Sequence, residues 1–146
     1  MLVLVDTNIL VITANPSSSF YQETIDALVK LRQRGDQLCV FAQNLYEFWA
    51  VVTRALANNG LGFTTAQAHT ELTRLKGFFQ LLPDTPAIFA EWEKLVVQRA
   101  VSGKNTHDTR IAAAMMVHGV TQLLTYNGGD FKRFASVTAI EPNQVK

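Results

Sequence analysis

MLVLVDTNIL, residues 1–10, sets five apolar residues ahead of Asp6, with Thr7 and Asn8 directly behind it. A short run of that kind, cut off at once by polar residues, predicts a strand buried on both faces over residues 1–5. A carboxylate at the end of such a strand loses much of its hydration. A strand end gives little structural reason for an acid in particular, so Asp6 is a candidate functional position.

Outward from this stretch, apolar segments of strand length alternate with longer segments of helical period. Residues 38–42, 81–82, 121–125 and 137–140 read as further strands. Ser17–Ser19 can cap a helix with Tyr21, Ile25, Leu28 and Val29 on one face and Gly35 at its end. Asn44 reads as the cap of a helix carrying Leu45, Phe48, Trp49 and Val52, and 58–62 breaks the chain before a helix over 65–80. Thr85 and Pro86 open a helix to about Val101. Thr106 caps the helix 107–118, which Gly119 closes, and 127–129 is a turn. This alternation predicts an α/β fold: one domain over 1–146, with a central parallel sheet and helices on both faces. In such sheets, binding groups gather beyond the carboxyl ends of the strands.

Composition narrows the class. At 48% hydrophobic and 17% charged, the 146 residues suit a single globular domain, and no apolar run approaches membrane-spanning length. The apolar start, ended by Asp6, is too short for a signal peptide. A lone Cys39 rules out an internal disulfide framework and predicts a reducing cytoplasm, with the thiol in the core. A net charge of +1 leaves any nucleic-acid binding to local patches. There is no G-x-G-x-x-G after the first strand, no phosphate-binding P-loop and no G-x-S-x-G, and Asp6-Thr7-Asn8 lacks the second acid of a D-x-D phosphatase.

Glu23, Asp26, Glu71, Glu91 and Glu93 fall on solvated helix faces, but four acids do not. Asp6 ends the first strand. Glu47 is expected in the first turn of the helix after the second strand, and Asp108 in the first turn of the helix beginning THDTRIAA. Asp130 follows the strand 121–125 across a Gly-Gly turn. Each has a structural alternative, the weakest being that of Asp6: Glu47 completes a capping box with Asn44, Asp108 answers the helix dipole, and Asp130 caps the FKRF turn. Taken together they belong to one rim of the sheet. Two carboxylates about 4 Å apart repel by roughly 4 kcal/mol at an effective dielectric of 20, so such a cluster calls for a cation. Oxygen ligands alone suit Mg²⁺ or Mn²⁺ rather than zinc, and the matching chemistry is metal-assisted hydrolysis of a phosphodiester.

VDTNIL, the Glu47 of NLYEFW, THDTRIAA and LLTYNGGDF together resemble the PIN-domain ribonucleases, and among them the VapC-type toxins of bacterial toxin–antitoxin pairs. The resemblance runs from Met1 to about Ile140. It implies a doubly wound sheet, a Mg²⁺- or Mn²⁺-dependent endoribonuclease acting on single strands, a homodimer, and inhibition by a cognate VapB-like antitoxin. The family's acidic positions carry over to Asp6, Glu47 and Asp108. Thr7 then stands beside the metal, Asn8 holds the loop after the strand, and Thr125 matches the hydroxyl residue ending the fourth strand. Many relatives have an Asp two residues after that Thr, where this chain has Asn127. Asn127 and Asp130 are both candidates for the fourth position, with Asp130 favoured as the acid and Asn127 in support.

Lys104, His107, Arg110, Lys132 and Arg133 flank the rim and are candidate RNA contacts. His69 and His118 lack partners at motif spacing and read as structural, and Trp49 and Trp92 read as core. Phe63, Phe78 and Phe79 are expected to be exposed apolar residues available to a dimer interface. The competing functional class is a PIN-like module that binds RNA or protein without catalysis; retention of Asp6, Glu47 and Asp108 argues for the enzyme.

Overall fold

A computed structural model describes residues Met1–Lys146. Five parallel strands form one sheet in the order β3-β2-β1-β4-β5: β1 (Leu2–Val5), β2 (Gln37–Phe41), β3 (Gln80–Leu82), β4 (Gln122–Leu124) and β5 (Thr138–Ile140). β1 lies at the centre, and its continuous apolar sequence follows from helices covering both faces. Successive side chains point to opposite faces. Val3, Val5, Leu38, Val40 and Leu124 accordingly enter one core, and Leu4, Cys39, Phe41 and Leu123 the other. Burial pushes the Cys39 thiol up to about 12, as suits an inert core residue.

Six helices complete the fold: α1 (Thr7–Thr13), α2 (Tyr21–Gln33), α3 (Ala42–Thr53), α4 (Thr65–Phe78), α5 (Pro86–Gln98) and α6 (Asn105–His118). α5 opens on Pro86, whose missing N–H costs nothing at a first helical position, and α6 ends on Gly119 at φ 68°. No helix is long and apolar enough to cross a membrane.

Several local expectations are corrected. α1 was not foreseen, and it makes Asp6 a helix cap: Asp6 Oδ1 accepts from the Thr7 N–H at 2.8 Å. The strand-ending acid therefore has a structural task after all. α3 starts at Ala42, so Asn44 lies inside the helix, where its Oδ1 accepts from the Phe41 N–H at 2.9 Å. Glu47 consequently falls beyond the first turn and belongs to no capping box. Thr106 lies within α6 and donates to the Gly103 carbonyl at 2.8 Å, so it is no cap. In α2 the buried positions are Thr24, Ala27, Leu28 and Leu31, while Val29 is exposed. Phe78 is 54% exposed as expected, but Phe79 is only 5% exposed because it packs in the first core, with Phe63 half-buried beside it.

Candidate metal centre at the carboxyl end of the sheet

The strand order changes direction at β1, which pairs with β2 on one side and β4 on the other. Ligand sites in open parallel sheets form at such a switch. β1 and β4 run in register, with Val5 beside Leu124, so the next residues, Asp6 and Thr125, are neighbours at the rim. α3 then begins directly after β2, and Asp6 alone separates β1 from α1. That economy brings Thr7, Asn8 and the start of α3 to the same rim.

A cleft of about 410 Å³ opens there, lined by Asp6, Thr7, Asn8, Glu47, Asp108, Asn127 and Asp130 among its residues. The four acids singled out from the sequence thus share one cavity, although they come from the junction of β1 and α1, from α3, from α6 and from the 3-10 turn Gly128–Phe131. The donors are all oxygen or amide; no histidine or cysteine lines the cleft.

Asp6 is held from three directions. Besides the cap bond, its Oδ2 accepts from Thr125 Oγ1 at 2.7 Å and from Asn8 Nδ2 at 3.2 Å. Asn8 Nδ2 also reaches Thr125 Oγ1 at 3.0 Å, and Asn8 Oδ1 accepts from the Tyr126 N–H at 3.1 Å. Asn8 therefore does hold the loop, though the loop is the one after β4. Burial pushes the Asp6 carboxyl up, and the Glu47 charge adds to this; the bonds from Thr125, Thr7 and Asn8 pull the other way.

Glu47 is braced on both oxygens, with Thr7 Oγ1 donating to Oε2 at 3.1 Å and Gln43 Nε2 donating to Oε1 at 2.8 Å. No hydrogen bond from the chain reaches the Asp108 or Asp130 carboxylate, so the helix cap foreseen for Asp130 does not form. Asp108 is pushed up to about 6, first by burial and then by the charges of Asp130, Asp6 and Glu47, with Arg133 opposing them. The other three acids thus add to the cost of ionising Asp108. Asn127 lines the cleft and accepts, through its carbonyl, the N–H of Asp130 at 3.0 Å.

The basic candidates divide. Arg133 is exposed, yet its charge is felt at Asp108. Arg110 pairs with Asp84 at 3.3 Å and donates to Gln43 Oε1 at 2.9 Å. Lys104 and His107 are exposed and outside the cleft lining, while Lys132 borders a separate hollow with Gly128 and Glu141. Two site neighbours escaped the sequence reading. Gln43 braces Glu47 and Asn44 approaches Thr7, both from buried positions, and only their spacing before Glu47 on one helix could have signalled them.

The PIN domain family model matches residues 3–137. No curated protein matches the chain. Among solved structures, VapBC2 from Rickettsia felis bound to a DNA fragment from their promoter is similar at a TM-score of 0.70 and 18% identity, over 97% of this chain and 98% of that one. A toxin–antitoxin complex from Klebsiella pneumoniae is similar at 0.61 and 19%, over 96% and 97%. Mycobacterium tuberculosis VapC20, a Sarcin-Ricin loop cleaving toxin, is similar at 0.64 and 16%, over 90% and 95%. These likenesses are likenesses of fold.

Proposed function

Because this chain belongs to the PIN-domain family, we propose that it is a divalent-metal-dependent endoribonuclease that cuts single-stranded RNA. The observation that carries this reading is the meeting of Asp6, Glu47, Asp108 and Asp130, four acids from separate parts of the chain, in one cleft at the carboxyl end of the sheet. Carboxylates so arranged repel one another, and a cation relieves the repulsion.

The donor set fits a hard ion. It is all oxygen, which suits Mg²⁺ or Mn²⁺. No three acidic, histidine or cysteine side chains converge closely enough to form a direct ligand shell, so the fit is to an ion that keeps several waters, as Mg²⁺ does. Asp6, Glu47, Asp108 and Asp130 would hold it, with Thr7 alongside and Asn127 in support. When bound, such an ion neutralises charge on the scissile phosphate and lowers the pKa of water.

The chain's own residues supply the rest. Thr125, Asn8 and the Thr7 N–H fix Asp6 so that little reorganisation accompanies ion binding. Thr7 and Gln43 orient Glu47 in the same way. Arg133 offers a cation beside the acids for an RNA phosphate, with Lys104, His107 and Lys132 further out on the surface.

The biological role we infer is that of the toxin in a toxin–antitoxin pair, acting in the cytoplasm and held in check by a VapB-like antitoxin. The VapBC and toxin–antitoxin complexes among its structural neighbours support that partner. A homodimer is part of the same reading. An apolar hollow lined by Ala42, Leu45, Tyr46, Trp49, Leu72 and Leu81, with Tyr46 and Leu81 exposed, offers surface for a second copy. The direct test is cleavage of single-stranded RNA with and without chelator, followed by sequencing of the ends.

A further inference from the structure

Glu47 lies on α3 and Asp108 on α6, helices that are not consecutive in the chain. Gln43 ties them together. It precedes Glu47 by one helical turn, and it is 7% exposed. Its Nε2 donates to Glu47 Oε1 at 2.8 Å and to the carbonyl of His107, the residue beside Asp108, at 3.0 Å. Gln43 Oε1 accepts from Arg110 Nη1 at 2.9 Å, and Arg110 Nη2 pairs with Asp84 Oδ1 at 3.3 Å. The loop after β3, the first turns of α6 and the start of α3 thus form one chain of contacts ending on Glu47.

The orientation of the Gln43 amide is what this chain controls. A glutamine amide turned over has nearly the same shape, with oxygen and nitrogen exchanged. Here only one orientation is acceptable. The guanidinium only donates, while the Glu47 carboxylate and the His107 carbonyl only accept. Turned over, the amide would aim its oxygen at two acceptors and its NH₂ at a cation. Arg110 therefore selects the orientation that holds Glu47, and Asp84 steadies Arg110.

We propose that Gln43 and Arg110 are positioning residues for the metal centre, setting the separation of Glu47 from Asp108 without touching substrate. The proposal rests on the metal-dependent reading above. It gives Arg110 a task other than the RNA contact expected from the sequence.

The test measures Mn²⁺ binding to the full chain by titration calorimetry. Binding of a single-stranded RNA oligonucleotide to the metal-free protein is followed in parallel by fluorescence anisotropy. Gln43→Leu keeps the bulk and deletes all three bonds, and it should weaken Mn²⁺ binding about tenfold or more, as loss of a ligand's supporting partner does. Arg110→Met should weaken it several-fold, Arg110→Lys should recover part of the loss, and metal-free RNA affinity should stay within about twofold. Because Arg110 acts through Gln43, the double variant should bind Mn²⁺ no more weakly than Gln43→Leu alone. If Gln43→Leu does not fold, Arg110→Met and Asp84→Asn carry the test, each expected to weaken Mn²⁺ binding. Multiplying effects in the double variant, or an Arg110→Met that loses RNA affinity while keeping wild-type Mn²⁺ affinity, would overturn the proposal. So would variants that all bind Mn²⁺ as wild type does. A wild type that binds no Mn²⁺ overturns the functional reading itself, which is a different result.

Discussion

Thr125 Oγ1 donates to Asp6 Oδ2 at 2.7 Å across 119 positions of sequence. The parallel register of β1 and β4 creates this contact, since the two residues extend the paired ends of those strands. Thr125 is fully buried, and its hydroxyl also accepts from Asn8 Nδ2 and from the Asn127 N–H, each at 3.0 Å. One hydroxyl thus links the acid that follows β1 to the loop after β4.

Thr125→Val should therefore cost more than a single hydrogen bond. It keeps the shape but leaves Asp6 Oδ2 with Asn8 Nδ2 as its one remaining side-chain donor, and it takes away the acceptor of the Asn127 N–H and one of the two acceptors of Asn8 Nδ2. Each buried polar group left unpaired costs about 1–3 kcal/mol. Urea denaturation should show a loss of about 1–3 kcal/mol, together with reduced cleavage. A variant as stable and active as wild type would remove Thr125 from the account.

Asp108 makes the stability of the metal-free protein depend on pH. Its carboxyl has a reference value of 3.8 and is pushed up to about 6 in the fold, so the folded state holds this proton more tightly than the unfolded chain does. Below about pH 4 the group is protonated in both states and contributes nothing. Between about pH 4 and 6 its ionisation increasingly disfavours the fold, and above that range the penalty is complete. Asp108→Asn lacks this penalty. Its stability advantage over wild type should grow across that window and then level off, while cleavage is lost. An advantage that does not vary with pH would contradict the assigned cause.

Asp6→Asn should also abolish cleavage with the fold intact. Asparagine still caps α1 well, so the helix keeps its start. Circular dichroism should match wild type while the activity disappears. Near-wild-type cleavage by this variant would move the site elsewhere.

Asp130 and Asn127 separate in a metal titration. The Asp130 charge is the largest one acting on Asp108, and no hydrogen bond from the chain occupies its carboxylate. Asp130→Asn should raise the Mg²⁺ concentration for half-maximal rate. Asn127→Ala should lower the rate at saturating Mg²⁺ instead. An unchanged metal dependence in Asp130→Asn would leave a site of three acids.

The sheet was legible because its strands are apolar runs of the right length, and the four acids were legible because nothing in their local sequence fully accounts for them. α1 was not legible. NILVIT is rich in β-branched residues, so propensity does not announce a helix, and the one start signal, Asp6 as a cap, coincides with the end of the strand. Missing α1 also hid the capping role of Asp6. Gln43 and the engagement of Arg110 were hidden for another reason: their partners are 64 and 67 residues away, and nothing local marks such a contact. Phe79 was misread because adjacent residues at a helix end face in different directions, and only Phe78 turns outward.

The most direct measurement is cleavage of a single-stranded RNA by the purified protein after exhaustive chelation, with Mg²⁺ or Mn²⁺ then added back. The account predicts no cleavage without metal, recovery with either ion, and no recovery in Asp108→Asn. Full cleavage in the chelated wild-type protein would contradict it.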